Sequence, residues 1–159
     1  MTPPPNEAPP TLYDWGGGRD ALERWLNVFY DRVEADELLA PVFGGKVSAE
    51  HRRNVTAWWC EVLGGPTEYT DKLGGYPHMV DKHRGLRINP KQRLRFTTLM
   101  SRAADEAELP ADPEFRSALM AYVEWGTRLA MHNSDPDAEV VAQAPLPRWG
   151  WGEAPPYRP

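Results

Sequence analysis

The chain has 159 residues, of which 41% are hydrophobic, and its formal net charge is −5 at pH 7. This length suits a single domain with one sizeable core. The negative charge argues against a nucleic-acid-binding protein and against one that binds anionic membranes. No apolar run approaches the ~20 residues needed to span a bilayer, and the single cysteine, Cys60, cannot form an intramolecular disulfide. We therefore expect a cytoplasmic protein.

The two ends of the chain differ in composition from its middle. Residues 1–10 include five prolines and are predicted to form a disordered arm. Residues 135–159 are rich in Pro, Gly and Trp, which predicts an extended tail without regular structure. Residues 11–134 are then expected to form the folded domain.

Four long helices are predicted in this domain, on segments 20–33, 49–63, 90–109 and 113–133. Their apolar residues recur at the i, i+3, i+4 and i+7 spacing of amphipathic helices. Ser48 and Asp112 are suitable N-caps, and Pro90 suits the first turn of a helix. No strand pattern is present, so the sequence predicts an all-α bundle.

A glycine-rich segment, 74–86, holds two of the four histidines, His78 and His83. Its glycines and proline disfavour a long helix. One helical turn would nevertheless place Met79 and His83 on the same face. The segment is therefore predicted to be a short, broken element that presents a histidine.

The sequence lacks the common signatures of several enzyme and metal-site classes. It has no Gly-rich phosphate loop after a strand, no Cys-x-x-Cys or His-Glu-x-x-His pattern, and no Gly-x-Ser-x-Gly nucleophile motif, although a Ser–His–Asp arrangement stays open. Two histidines remain, His51 on the apolar side of its predicted helix and His83. Each alone is more simply a structural or solvated residue.

Aromatic residues change the interpretation of these histidines. Seven tryptophans and six tyrosines fit either a large aromatic core or a flat aromatic cofactor. A haem needs one axial imidazole and a mostly apolar slot with few polar groups. Together, the two histidines on separate elements indicate such a site, with His83 as the axial ligand and His51 as a hydrogen-bonding group on the other face.

Several short motifs support a family resemblance: Phe29-Tyr30-Asp31-Arg32-Val33, Pro41-Val42-Phe43, Leu63-Gly64-Gly65-Pro66, Tyr69-Thr70, Gly75-Tyr76-Pro77 and Lys82-His83. In this order and spacing the chain resembles the truncated haemoglobins, and most closely their second group. The resemblance covers about residues 11–134. It implies a two-over-two helical sandwich around haem b, in which the proximal helix of ordinary globins is reduced to a short helical turn at 79–83.

The resemblance also implies roles for individual residues. His83 matches the proximal iron ligand, and its second ring nitrogen should donate to a backbone carbonyl. Tyr30 matches the distal tyrosine, and Phe43 matches an aromatic residue that packs on the porphyrin. His51 falls at the distal gate.

Six further residues are expected at or near the site. Val55 lies one turn after the gate, Met79 is expected on the proximal face, and Lys82 is a candidate partner of a haem propionate, as are Arg84 and Arg87. Phe96 stands where the second group usually has a tryptophan. A phenyl ring cannot donate the hydrogen bond that an indole N–H can.

The implied function is the binding of dioxygen and other diatomic ligands at iron. Peroxidase-like or nitric oxide dioxygenase-like turnover stays open, and would need an electron donor that the chain does not encode. A homodimer is a further possibility. The alternative is a cofactor-free helical interaction module, in which the Pro-rich arm and the Trp-rich tail bind a partner.

Overall fold

Seven α-helices make up most of the part of the chain that the structure, a computed structural model, describes, residues 8–141 and 143–153. They are α1 (Leu12–Trp15), α2 (Gly18–Glu34), α3 (Ala49–Val62), α4 (Glu68–Lys72), α5 (Gly75–His83), α6 (Pro90–Glu106) and α7 (Pro113–Ser134), with a short 3-10 helix at Ala40–Phe43. These residues contain no strand, which confirms the all-α prediction. None of their helices is both long and apolar enough to cross a membrane.

The four long helices form two pairs. Helix α2 packs against α3 and α6, and α6 packs against α7. The apolar stripe predicted on the first long helix is entirely buried: Leu22, Trp25, Leu26, Phe29, Tyr30 and Val33. Helix α6 buries only its second half, and Leu94 in its first half is 59% exposed. The first half of α6 therefore contributes little to the common core.

Side-chain caps begin three of the long helices. The Ser48 hydroxyl accepts from the N–H of His51 (3.0 Å), and the Asp112 carboxylate accepts from the N–H of Phe115 (3.0 Å), as the sequence predicts. Asn89 and Gln92 form a reciprocal capping box before α6. These bonds satisfy N–H groups that have no partner inside the helix.

Two helix boundaries differ from the prediction because residues with a positive φ set where the helix begins or ends. Helix α2 begins at Gly18 and not at Asp20, because Gly17 adopts a left-handed conformation (φ 106°) that turns the chain into the helix. Helix α6 ends at Glu106, earlier than predicted, since Glu108 is also left-handed (φ 58°) and cannot continue it.

The glycine-rich segment forms more helix than the sequence suggests. The predicted turn at 79–83 is the second half of a nine-residue helix, α5, and the preceding connection contains α4. The glycines lie at the start of α5 and not inside it. Gly74 has a φ of 93°, and a Cβ there would lie 2.9 Å from the Cβ of His78. Glycine therefore permits both the turn and the close approach that starts the helix.

Helices α3 and α4 are joined through a buried carboxylate. Glu61 is 3% exposed and accepts from the N–H of Thr70 (2.9 Å) and from the Thr70 hydroxyl. This pairing satisfies the carboxylate where water does not reach it. It also fixes the short helix that leads into α5.

The terminal segments are only partly described. Residues 1–7 of the predicted arm, and residues 142 and 154–159 of the predicted tail, lie outside the described residues. The described tail has no helix or strand but is docked on the helices. The Trp149 N–H donates to the Val62 carbonyl (2.8 Å), and the Trp151 indole N–H donates to the Pro10 carbonyl (2.7 Å). The sequence offered no signal for this docking.

Arg52 ties α3 to α2. Its guanidinium donates to Glu34 (2.5 Å) and Asp31 (2.9 Å) and to the carbonyls of Asn27 (3.2 Å) and Val47 (3.3 Å). Its side chain is 16% exposed, but only the bonds to Glu34 and Val47 are partly buried, whereas those to Asp31 and Asn27 are exposed. Removing the guanidinium would leave Glu34, itself 24% exposed, without its charged partner.

We predict that Arg52→Ala lowers the free energy of unfolding by about 2 kcal/mol, because the partly buried bonds to Glu34 and Val47 are lost and the Glu34 carboxylate is left without its charged partner. Arg32→Ala is the matched control. Arg32 also pairs with a glutamate, Glu106, but their side chains are 57% and 40% exposed. Its loss should cost about 0.5 kcal/mol. Urea unfolding of both variants measures the difference. Equal losses in the free energy of unfolding would show that Arg52 does not join α3 to α2 more strongly than an exposed ion pair does.

Candidate functional site

A cavity of about 650 Å³ lies between the helices, with walls from α2, α3, α5, α6 and α7. Its size falls within the ~300–1,000 Å³ typical of cofactor and ligand sites. Eight of the ten residues that the sequence nominates lie on its wall: Tyr30, Phe43, His51, Val55, Met79, Lys82, His83 and Phe96. The structure thus brings together residues from five separate segments of the chain.

His83 is the last residue of α5 and is held by its own helix. Its Nδ1 lies 2.8 Å from the carbonyl oxygen of Met79, one turn earlier. Because a carbonyl only accepts, Nδ1 must carry the proton. Nε2 then has the free lone pair, which is the arrangement of a histidine that ligates a metal. Burial lowers the pKa of His83, and the hydrogen bond to Met79 opposes this shift.

Three rings from different elements meet on another part of the wall. Tyr30 of α2, Phe43 of the 3-10 helix and His51 of α3 make pairwise edge contacts, with centroids 5.4–5.9 Å apart. The N-cap at Ser48 fixes the start of α3, and the buried stripe of α2 fixes Tyr30. Two of these three rings carry a polar atom that can face a small ligand.

The electrostatics keep both polar groups neutral. Burial raises the pKa of the Tyr30 hydroxyl far above its ordinary value, and the charge of Arg52, whose guanidinium lies 5.8 Å from the ring centroid, opposes this shift only in part. Burial also lowers the pKa of His51, and the charges of Lys82 and Arg52 lower it further. At neutral pH, Tyr30 can donate a hydrogen bond and His51 can donate or accept one.

His51 also carries a polar atom that no described residue satisfies. Its Nε2 is buried and has no hydrogen-bond partner within the described part of the chain. An unpaired buried polar group destabilises a fold, so such groups are uncommon without a functional reason. This nitrogen is therefore suited to a ligand inside the cavity.

Much of the remaining wall was missed from the sequence. Helix α7 contributes Tyr122, Trp125 and Gly126, and the tail contributes Pro147. The spacing of Tyr122 and Gly126 predicted a buried stripe, and this stripe borders the cavity. Trp125 is 42% exposed and lies off that stripe, so periodicity gave no signal for it.

The two neighbouring tryptophans of α3, Trp58 and Trp59, both reach the wall. Trp59 also packs against α2, since its ring meets that of Trp25 with centroids 4.9 Å apart. The Trp58 indole donates to the Tyr122 hydroxyl (3.1 Å). These contacts make one side of the cavity a continuous aromatic surface.

Charged residues are few on the wall. Of the basic residues expected near the iron, Lys82 lines the cavity, whereas Arg84 lies 3.8 Å from Asp81 and Arg87 lies at a separate small pocket. Lys46 and Arg93 also line the cavity, and the sequence did not indicate them. Lys46 is thus a further basic group available to an anionic edge of a ligand, whereas Arg93 already pairs with Glu124 (3.0 Å).

The residues present fit a haem. The wall is mostly apolar and aromatic, one imidazole has a fixed tautomer with a free Nε2, and a buried His51 nitrogen lacks a partner among the described residues. Basic side chains at Lys46 and Lys82 could pair with carboxylates. Together these are the features that haem requires of a protein.

Comparisons with known proteins agree with this description. The bacterial-like globin family model matches residues 11–132. A group 1 truncated haemoglobin from Nostoc sp. is 37% identical over 78 residues, which are 49% of this chain and 62% of that protein. The match therefore spans less than two thirds of that relative.

Two solved structures extend the comparison. A truncated oxygen-avid haemoglobin from Bacillus subtilis is 26% identical, with a TM-score of 0.67 over 75% of this chain and 97% of that one. A group II truncated haemoglobin from Bacillus anthracis shares the fold, with a TM-score of 0.72 at 24% identity over 81% of this chain and 95% of that one. The all-α architecture is thus that of the truncated globins, and the chain belongs to the bacterial-like globin family.

Proposed function

We propose that this chain binds haem b in the cavity through His83 and holds a diatomic ligand, dioxygen foremost, beside Tyr30 and His51. Membership of the globin family implies haem binding in general. The observation that carries the specific proposal is the hydrogen bond between His83 Nδ1 and the Met79 carbonyl, which leaves Nε2 for iron. When bound, haem supplies an iron with an open position for a small ligand.

The protein's own residues have separable tasks in this proposal. His83 holds the cofactor in place, and the aromatic wall excludes water from it. Tyr30 and His51 provide neutral hydrogen-bonding groups, which favour a ligand that gains partial negative charge. Lys46, Lys82 or both pair with the propionates.

Dioxygen is favoured over less polar ligands by the two polar groups. A structural neighbour, from Bacillus subtilis, is described as oxygen-avid, which supports the same ligand here. Redox turnover with peroxide or nitric oxide would use the same site, with an electron donor from outside the chain. The cofactor-free interaction module is disfavoured, because Trp149 and Trp151 of the tail pack on the chain's own core.

We predict that His83→Gly weakens haem retention by more than about 100-fold, because the direct ligand contributes more than the 10–100-fold typical of its supporting partners. Added imidazole should restore binding. His78→Gly is the matched control, since His78 lies on the same helix and also lines the cavity. Haemin titration followed by absorbance measures both. Full retention in His83→Gly in the absence of imidazole would refute the assignment.

We predict that Tyr30→Phe speeds oxygen dissociation by about 10-fold, since one hydrogen bond of about 1 kcal/mol or more is lost. Carbon monoxide, which gains less charge, should respond less. Tyr122→Phe is the control, because its hydroxyl lines the same cavity but already accepts from Trp58. Stopped-flow spectroscopy measures the oxygen dissociation rates of both variants. Equal rates would argue against the Tyr30 hydroxyl as the donor.

We predict that Phe96→Trp slows oxygen dissociation by roughly 3- to 10-fold, because an indole N–H adds a donor worth about 1 kcal/mol. Phe96 lines the cavity and its ring meets Phe29 at 4.7 Å between centroids. Phe96→Leu removes the ring without adding a donor and should not slow release. An unchanged rate in the tryptophan variant would show that this position does not reach the ligand.

A further inference from the structure

The described end of the tail, residues 143–153, lies beyond residue 132, where the match to the globin family model ends. It has neither helix nor strand, yet it is not a loose end. Leu146 is 8% exposed and belongs to the core, and Trp149 packs against that core. An extended segment held in this way contributes to the domain as a helix would.

Trp149 anchors the segment with two hydrogen bonds. Its backbone N–H donates to the Val62 carbonyl (2.8 Å), and its indole N–H donates to the Ala118 carbonyl (3.1 Å). Val62 is the last residue of α3, where carbonyls lack partners inside the helix. The segment therefore satisfies the end of α3 while joining it to α7.

The Trp149 ring lies directly behind the cavity wall. Its centroid is 5.3 Å from that of Tyr122 and 5.7 Å from that of Trp125, and both of these residues line the cavity. Tyr122 in turn meets Trp59 at 5.0 Å. Two residues before Trp149, Pro147 lines the cavity itself. The segment thus both forms part of the wall and supports its aromatic side.

We propose that the segment 146–149 is part of the cofactor site and slows the loss of haem, with Pro147 as a wall residue and Trp149 as a positioning residue. This inference rests on the proposed function. Release of haem exposes its apolar surface to water, so a closed wall opposes release. Opening this side requires the two Trp149 hydrogen bonds to break and its ring to leave the core.

The test compares two tryptophans of the same segment. Trp151 is anchored by its indole N–H on the Pro10 carbonyl (2.7 Å) and packs against Trp15 and Phe115, away from the cavity wall. Haemin transfer from each full-length variant to excess apomyoglobin measures haem loss. We expect Trp149→Ala to lose haemin about 10-fold faster than wild type, and Trp151→Ala to stay within about 3-fold.

Two further measurements distinguish a specific effect on the cavity wall from a general loss of fold stability. Thermal unfolding of both alanine variants without haem shows whether they are destabilised alike. Trp149→Phe keeps an aromatic ring, although a smaller one, but loses the indole N–H bond to Ala118, and its rate of haemin loss should lie between those of wild type and Trp149→Ala. If Trp149→Ala does not fold, Trp149→Phe decides the matter, and a wild-type rate there would overturn the inference.

The remaining outcomes are distinct. Normal haemin uptake with equal loss rates in Trp149→Ala and Trp151→Ala would overturn the proposed role of segment 146–149 in slowing haem loss. It would leave the proposed function intact. A wild-type chain that takes up no haemin would overturn both.

Discussion

The hydrogen bond between His83 Nδ1 and the Met79 carbonyl determines which nitrogen of the imidazole is free. That bond exists only because both residues lie on one continuous helix, α5. The helix in turn depends on Gly74, whose left-handed backbone and missing Cβ allow it to start beside His78. Tyr76 and Val80 of the same helix are buried, and α5 packs on α4 and α7. A turn of glycine-rich chain thereby becomes a rigid support for one side chain.

Whereas His83 is fixed by a hydrogen bond, the polar groups of Tyr30 and His51 must stay free to bond a ligand. They lie in a buried, mostly aromatic region where a hydrogen-bonding group without a partner is costly. Arg52 of α3 bonds to α2 and so joins the two helices that carry these groups. Sites of this kind commonly sacrifice some stability for function. The His51 nitrogen, unpaired within the described chain, is the clearest sign of it here.

Local rules predicted most of the helical frame. Ser48, Asp112 and the apolar stripe of α2 act as the sequence indicates, because caps and helical periodicity depend on neighbours in the chain. The nomination of His83 over His78 came from the family resemblance. Spacing alone could not distinguish two histidines on one short segment.

The features that the sequence did not predict depend mostly on contacts between segments far apart in the chain. Trp125 lies off the apolar stripe of α7, and Pro147 lies in a segment with no periodic pattern. The tail docks through carbonyls of Val62 and Ala118, and backbone acceptors leave no trace in side-chain identity. The start of α5 was missed because glycine disfavours helix interiors but suits their beginnings, and composition does not separate the two.

The most direct test of the central claim is resonance Raman spectroscopy of the ferrous, ligand-free wild-type protein after haemin uptake and reduction. Coordination by His83 Nε2, with its Nδ1 donating to Met79, predicts a five-coordinate spectrum with one iron–histidine stretching band that shifts when the iron isotope is changed. A chain that takes up no haemin, or a ferrous spectrum without such a band, would contradict the account.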